Sequence, residues 1–228
     1  MTSSTTSTNQ VTSTTPEIAT TSTTPETATT PTIQVISTRP ELFTLAGALT
    51  PDECAALIRQ AEALGFTEAP ITIGPNRFRM APEIRNNTRV ILDDEALARR
   101  LWGRVAAQIP ARLEGMEAVG LNERFRFYRY EEGEQFNWHR DGAFHRSDRE
   151  WSLLTLIFYL NEGCDGGATE FLHVAEETIR VVPRTGHVLA FSHPILHRGA
   201  PVLEGIKFVL RTDVMYRLPP EASRMGSV

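Results

Sequence analysis

The sequence predicts a mainly β domain with supporting N-terminal helices. Two amphipathic stretches with helix start and stop signals come first, and from Arg124 onward short apolar runs alternate with Gly, Pro and Asn. Many short strands separated by turn residues are typical of a β-sandwich or barrel. We therefore expect the helices to pack against one sheet of an all-β second half.

The chain divides into a tail at residues 1–38, a domain at 39–220 and a short C-terminal tail at 221–228. The first 38 residues contain 22 Ser or Thr, and T-S-T-T-P-E occurs twice, at 12–17 and 21–26. Such a polar tract buries too little apolar surface to offset its ordering entropy. This pattern predicts a disordered extension without a site of its own.

The amino-acid composition limits the kinds of function that this protein can have. The net charge of −5 argues against a broad nucleic-acid-binding surface, which is usually basic. Two cysteines, Cys54 and Cys164, are too few for a disulfide framework and favour a reducing compartment. No apolar run approaches the ~20 residues that span a bilayer, and the N-terminus lacks a signal-peptide core. We expect a cytoplasmic protein without nucleic-acid or membrane partners.

The first helix is predicted to follow Thr50. Thr50 can cap the helix, Pro51 suits its first turn, Glu53 completes a capping box, and Gly65 is a natural stop. Apolar residues recur at helical spacing between them. A second helix is predicted from about residue 94 to 108.

Residues 71–93, between the two helices, are rich in arginine and asparagine. They contain Arg77, Arg79, Arg85, Asn86, Asn87 and Arg89. Two interpretations stay open for this segment. It is either a solvated loop or a substrate-facing lid, since polar loops on a rigid scaffold often carry recognition.

Six strands are predicted in the second half. They lie at residues 124–130, 153–160, 169–173, 179–183, 188–193 and 206–216. On the last strand Lys207, Val209, Arg211 and Asp213 share one face, because alternate residues of a strand point the same way. A cation that faces a barrel interior is costly unless an anion meets it there.

The segment Tyr130 to Asp141 ends in His139-Arg140-Asp141. An imidazole and a carboxylate two positions apart on a strand can close on one cation. The triplet alone is a weak signal that a surface loop also supplies. Candidates for a third ligand are His145, His173, His187, His193 and His197. His197, just before the final strand, together with the inward Lys207, points to a buried anionic cofactor beside a metal.

These residues belong to a longer series of motifs. It comprises Tyr130…Gly133…His139-Arg140-Asp141, T-L-I-F-Y-L-N at 155–161, G-G-A-T-E-F at 166–171, P-R-T-G-H-V-L-A-F at 183–191, and His197…Pro201-Val202…Gly205…Lys207. In this order, from Arg39 to Pro219, the chain resembles the iron(II)- and 2-oxoglutarate-dependent oxygenases of the prolyl 4-hydroxylase type. The resemblance implies a double-stranded β-helix, the cupin-like jelly roll, with supporting helices on one sheet.

The resemblance also implies a set of site residues. His139, Asp141 and His197 would be the catalytic metal ligands, a facial triad that leaves iron positions open for 2-oxoglutarate and O2. Lys207 would pair with the distal carboxylate of 2-oxoglutarate, helped by Tyr130 and Thr155. Arg211 is a second candidate for that anion, but a structural ion pair with Asp213 or a neighbouring residue is the favoured role. His187 and His193 are interpreted as structural or rim residues.

The implied reaction is hydroxylation of an unactivated C–H bond with release of succinate and CO2, and ascorbate is a possible additional cofactor. The presence of Asp141 favours hydroxylation over halogenation, because halogenating relatives carry a small residue there. The substrate is expected to be a prolyl residue in a peptide or protein. Alternatives are a free amino acid or small metabolite, or a non-catalytic 2-oxoglutarate-binding domain; a nucleic-acid demethylase is disfavoured by the acidic charge.

Two segments are expected to face the substrate, residues 77–89 and 142–151. Trp138 and Phe144 offer apolar surface to a proline ring, whereas Arg77, Arg85 or Arg89 would instead hold a carboxylate of a small substrate. The sequence leaves these alternatives open. It is also compatible with either a monomer or a homodimer.

Overall fold

The computed structural model describes residue 1 and residues 32–35, 42–74, 77–172 and 178–220. Most of the predicted N-terminal tail and all of the predicted C-terminal tail lie outside these ranges. Within the tail, Thr32–Val35 forms a strand that pairs antiparallel with Leu42–Ala46. Regular structure therefore begins before residue 39, because backbone pairing extends the sheet by four residues of the predicted tail.

The helices are α1 (Pro51–Leu64) and α2 (Glu95–Val105), and a 3-10 turn (Ala106–Gln108) continues α2. The strands of the first half are β1 (Thr32–Val35), β2 (Leu42–Ala46), β3 (Thr67–Glu68), β4 (Ile71–Gly74), β5 (Arg77–Arg79), β6 (Thr88–Asp93), β7 (Arg112–Leu113), β8 (Met116–Leu121) and β9 (Arg124–Tyr130). Those of the second half are β10 (Phe136–His139), β11 (His145–Ser147), β12 (Glu150–Tyr159), β13 (Asp165–Gly166), β14 (Thr169–Leu172), β15 (Thr178–Val181), β16 (Val188–Ser192), β17 (His197–Gly199), β18 (Val202–Glu204) and β19 (Lys207–Arg217).

Helix α1 begins with the predicted capping box. The Thr50 side chain accepts the Glu53 N–H, and the Glu53 carboxylate accepts the Thr50 N–H at 2.9 Å. Gly65 ends the helix with φ of 83°, a conformation that favours glycine. The local pattern thus fixes both ends of α1, as predicted. Cys54, Leu57 and Ala61 form its buried face.

Two antiparallel sheets form the double-stranded β-helix. The large sheet has the order β1-β2-β16-β12-β19-β9-β6-β3, and the small sheet has the order β10-β17-β14-β15. The six predicted strands all occur, with ends shifted by up to three residues. The jelly-roll expectation and the supporting helices are confirmed.

Two apolar clusters cover opposite faces of the large sheet. One lies under the helices and includes Leu57, Leu101, Phe125 and Phe127. The other lies between the two sheets and includes Tyr128, Tyr130, Phe171 and Phe191. Because successive residues of β9 alternate between the clusters, this strand separates a solid core from the interior of the β-helix.

The described part of residues 71–93 contains more regular secondary structure than the loop or lid that the sequence suggested. β4 and β5 form an exposed hairpin, while β6 joins the large sheet beside β9. β6 is hard to recognise in the sequence because only its Val90 is buried, and Arg89 occupies the position opposite Tyr128. Over the described ranges, neither helix has the length and apolar character that a bilayer crossing requires.

Candidate metal centre and adjoining cavities

His139, Asp141 and His197 converge between the two sheets. His139 ends β10 and stands directly opposite His197 of β17 in the antiparallel register. One ligand atom from each of the three residues lies within 4.8 Å of the others. His139 Nε2 is 3.8 Å from Asp141 Oδ1, and His197 Nε2 is 3.7 Å from Asp141 Oδ2. The predicted trio is therefore brought together around one point.

A hydrogen bond to a backbone carbonyl orients each of the two imidazoles. His139 Nδ1 lies 2.7 Å from the Asn137 carbonyl oxygen and His197 Nδ1 lies 2.9 Å from that of Ile195. A carbonyl accepts only, so each Nδ1 carries the proton and each Nε2 keeps a lone pair directed at the common point. Burial lowers the pKa of His139 to about 4, and it also lowers the pKa of His197. The rings are thus neutral at physiological pH, the form that binds a metal.

Asp141 is held as a carboxylate by two donors. Thr155 donates its hydroxyl to Asp141 Oδ2 at 2.6 Å, and Arg211 Nη2 lies 3.2 Å from the same oxygen. Burial alone would raise the pKa of Asp141. The Arg211 charge and the two imidazoles outweigh burial, and they hold that pKa well below its usual range.

A chain of hydrogen bonds supports Asp141 from behind. Because Thr155 gives its proton to Asp141, its oxygen accepts from His193 Nδ1 at 2.9 Å. His193 Nε2 then accepts from Ser152 at 2.8 Å. The expectation that His193 is structural agrees with this position. Ser152 was not recognised in the sequence, since nothing local links it to residues 41 positions away.

Lys207 lines a small cavity together with His139 and His197. The cavity is lined by Tyr128, Tyr130, Phe136, His139, Ile157, Thr169, His197, Gly199, Lys207 and Val209, and encloses about 40 Å³. Lys207 is 3% exposed, and its Nζ donates to the Gly167 carbonyl at 2.6 Å. No carboxylate in the described part of the chain pairs with it. Burial lowers the pKa of Lys207 to about 8.

The remaining predicted cofactor residues lie on two sides of the trio. Tyr130 stands opposite Lys207 in the register, and Lys207 Nζ is 5.0 Å from the centre of its ring. Thr155 and Arg211 lie instead at Asp141, and Arg211 also contacts Asp213 at 3.1 Å. The ion pair offered as the alternative role of Arg211 is therefore present. Contacts of these residues with 2-oxoglutarate stay a prediction.

The other histidines do not join the trio. His145 is exposed and stacks on Trp151, and His187 is half-buried near the Thr185 carbonyl. His173 lies outside the described residues. The sequence also gave no sign of Phe136, whose ring stacks on His139 with centroids 3.5 Å apart.

A larger cavity of about 490 Å³ opens on the other side of His139. Its walls include Trp138, Phe144, Arg85 and Arg89, all of which were predicted to face substrate. Arg77 lies on the exposed strand β5 and is not among its lining residues. Phe136 and His139 line both cavities, so the two spaces meet at the metal-ligand group.

The residues fit the implied groups. Two neutral imidazoles and one carboxylate on a single side of a cavity are the donor set of non-haem iron(II). The buried Lys207 ammonium has one protein acceptor and two further N–H groups. This surplus of donors suits the carboxylate of a dicarboxylic acid that reaches from the metal into the small cavity.

Comparison with known proteins agrees with this geometry. Residues 125–212 match the family model described as the 2OG-Fe(II) oxygenase superfamily. A PKHD-type hydroxylase of Bordetella pertussis is 28% identical over 179 residues, covering 73% of this chain and 74% of the relative.

Two solved structures share the fold. A Pseudomonas putida prolyl-4-hydroxylase superposes with a TM-score of 0.55 and 21% identity, over 78% of this chain and 93% of that one. A Trichoplax adhaerens prolyl hydroxylase, in complex with a hypoxia inducible factor oxygen degradation domain peptide fragment, gives 0.61 and 16%, over 77% and 83%. At these identities the likeness shows the fold.

Proposed function

We propose that this chain, whose residues 125–212 match the 2OG-Fe(II) oxygenase superfamily, hydroxylates an unactivated C–H bond of a prolyl residue in a peptide or protein. In the overall reaction one atom of O2 enters the product and the other enters succinate, while 2-oxoglutarate loses CO2. Bound iron(II) with 2-oxoglutarate supplies the oxidising chemistry, and the protein supplies geometry and a dry cavity.

The roles of the residues follow from their positions. His139, Asp141 and His197 would hold iron(II) and leave some of its coordination positions open. Lys207 would bind the distal carboxylate of 2-oxoglutarate beside Tyr130. Thr155 and Arg211 would fix the orientation of Asp141. The two cavities give the co-substrate and the substrate separate access to one metal.

One observation carries the proposal. Two of the three metal-binding side chains, His139 and His197, line the same small cavity as the buried Lys207, which pairs with no carboxylate among the described residues. A buried cation costs stability unless an anion meets it there. A structural metal site would need no such cation. The prolyl substrate is supported by the shared fold with two prolyl hydroxylases and by the apolar walls Trp138 and Phe144 of the larger cavity.

The test is incubation of the purified protein with iron(II), 2-oxoglutarate and O2 against proline-containing peptides. We expect succinate and a product heavier by one oxygen atom, about 16 Da. Neither should form with His139→Ala protein. Succinate formation without any hydroxylated peptide, across a broad peptide panel, would remove the prolyl assignment.

A second candidate is hydroxylation of a free amino acid or small metabolite, which the arginines of the larger cavity favour. We further propose a cytoplasmic monomer or homodimer without nucleic-acid or membrane partners, and ascorbate as a reductant that maintains iron(II). Size-exclusion chromatography with light scattering tests the oligomeric state, and turnover with and without ascorbate tests the reductant.

A further inference from the structure

The larger cavity beside the metal-ligand group is unusually basic for an acidic protein. Its lining includes five arginines and one acid besides the apolar walls. These are Arg85, Arg89, Arg126, Arg140, Arg211 and Asp213. The imbalance decides which kind of group the cavity can accept, because a buried cation needs a counter-charge.

Two of the arginines pair with acids, and a third is exposed to solvent. Arg211 lies between Asp141 and Asp213, and Arg126 Nη1 is 3.5 Å from Asp213. Arg140 is exposed, and its Nε donates to the Pro194 carbonyl at 2.9 Å. Arg85 and Arg89 remain, and neither forms an ion pair with any acid in residues 42–74, 77–172 or 178–220.

Arg85 is the more constrained of this pair. It is 5% exposed, and its guanidinium lies between the rings of Tyr128 and Phe136, 4.4 Å from each centre. Its Nε donates to Asn87 Oδ1 at 2.7 Å, whereas its buried Nη2 has no hydrogen-bond partner among the described residues. The stack fixes the plane of the guanidinium and leaves donors available for a ligand.

The surroundings of Arg85 add to the positive field. Burial lowers the pKa of Arg89, and the nearby charges of Arg85 and Arg126 lower it further, whereas Tyr128 opposes this shift. Burial would raise the pKa of Tyr128, but Arg85, Arg211 and Arg126 outweigh it and lower that pKa to about 8. Positive charges thus crowd one wall of the cavity, and two of them, Arg85 and Arg89, have no acid to match among the described residues.

We propose that Arg85, with Arg89 beside it, binds a carboxylate of the substrate. This inference rests on the proposed function and names the substrate class, a molecule with a free carboxylate close to the carbon that reacts. A planar guanidinium donates two parallel hydrogen bonds to a carboxylate. Ile71, Ile84 and Phe144 offer apolar surface to the remainder of such a molecule.

Two sources supply this chemistry. A free amino acid brings its own α-carboxylate, whereas a peptide brings an acidic side chain or its C-terminus. The probes are therefore matched pairs that differ only in charge. They are L-proline and L-prolinamide, glycyl-proline and its amide, the other free amino acids and their amides, and prolyl peptides with Asp or Asn next to proline.

Binding is measured by calorimetry on protein loaded with iron(II) and 2-oxoglutarate, without O2. We expect at least one acid to bind about 10- to 100-fold more tightly than its amide, as loss of a charge-assisted hydrogen bond implies. Arg85→Met keeps an apolar stem between the two rings and should abolish this preference. Arg85→Lys keeps the charge without the fork and should retain part of it.

Arg129→Met is the matched control. Arg129 lies one residue from Tyr128 on the same strand, pairs with Glu131 and is not among the lining residues of the cavity. It should keep the full acid preference. If the protein prefers a free amino acid to its amide, the bound carboxylate is that of the amino acid itself. If it prefers the acid to its neutral counterpart only among peptides, the bound carboxylate belongs to the peptide.

Two results overturn the inference, namely equal binding of acid and amide in every pair, or an Arg85→Met variant that weakens both alike. The wild-type comparison stands even if that variant fails to fold. Hydroxylation of acidic and neutral prolyl peptides at the same rate, in wild type and Arg85→Met alike, would remove the carboxylate site and keep the hydroxylase. Acid-selective binding through Arg85 without any hydroxylated product would do the reverse.

Discussion

The guanidinium of Arg211 lies 3.2 Å from Asp141, the carboxylate of the metal-ligand trio. Arg211 stands on β19, in register with Ile157 of β12, so the large sheet contributes directly to a carboxylate that follows a strand of the small sheet. The same guanidinium contacts Asp213 at 3.1 Å. Arg211 is thus placed to orient Asp141.

Replacement of Arg211 by Met should weaken iron(II) binding by about 10- to 100-fold, because supporting contacts orient metal ligands. It should also lower the free energy of unfolding by roughly 3–5 kcal/mol, since Asp141 and Asp213 lose a buried counter-charge. Competition with a chromophoric chelator and urea denaturation measure the two effects. Arg124→Met, which removes the half-exposed pair with Asp93, is the control and should cost under about 1 kcal/mol. Unchanged iron affinity in folded Arg211→Met protein would refute the orienting role.

Alanine at His139, Asp141 or His197 should each remove stoichiometric iron(II) binding and turnover. The fold should persist, because the cores on both faces of the large sheet do not depend on these side chains. Metal analysis and circular dichroism are the measurements, and His187→Ala is the matched histidine control. If all three variants unfold, the site is a structural metal centre instead.

Lys207 should make 2-oxoglutarate binding sensitive to alkaline pH. Burial lowers its pKa from 10.5 to about 8, so the ammonium that binds a carboxylate is present below that pH and is lost above it. Affinity should therefore be flat from pH 6.5 to 8 and then fall by up to about tenfold per pH unit. Calorimetry at a series of pH values measures it.

Lys207→Arg keeps its charge and should give a flat profile, so an identical decline in this variant would assign the effect to another group. A linked effect on stability has the opposite direction. Between pH 8 and 10.5 the unfolded chain holds a proton that the folded ligand-free chain has lost. The free energy of unfolding should consequently rise with pH across that window.

Alanine substitutions at two glycines with positive φ distinguish the cost of backbone strain from the cost of steric overlap. Gly186 has φ of 76°, and a Cβ there would lie 2.0 Å from the Leu49 carbonyl oxygen. Gly47 has φ of 70° and open space around it. Gly47→Ala should cost about 1 kcal/mol, whereas Gly186→Ala should cost at least about 3 kcal/mol. Urea denaturation of both variants checks this, and equal costs would show that the loop at Leu49 moves freely.

Local chemistry made much of the fold predictable. The ends of α1 depend on Thr50, Glu53 and Gly65, which act within a few residues of the helix. The strands from Arg124 onward have apolar residues on at least one face and turn residues between them. By contrast, β6 was missed because its inner face lines a cavity, where Arg89 replaces the apolar residue that marks a strand.

Local spacing in the sequence predicted only part of the site. His139 and Asp141 share one triplet, and the positions of His197 before the last strand and of Lys207 on it indicated an anionic cofactor beside a metal. Only the family resemblance assigned these residues their individual roles, since no local pattern joins residues so far apart. The contacts of Thr155 and Arg211 with Asp141 were not predicted, because no local pattern links these residues. Thr155 lies opposite Asp213 in the register between β12 and β19, a relationship that only strand pairing reveals.

Strand β19 has a consequence for how this enzyme can diversify. Even numbers of residues separate Lys207, Arg211 and Asp213 along this strand, so their side chains point to the same face. About 13 Å of extended backbone lies between Lys207 and Arg211. Insertion or deletion of one residue between them would rotate one group out of the interior. New specificity can therefore arise by substitution of side chains along this strand, whereas the number of residues between Lys207 and Arg211 has to stay the same.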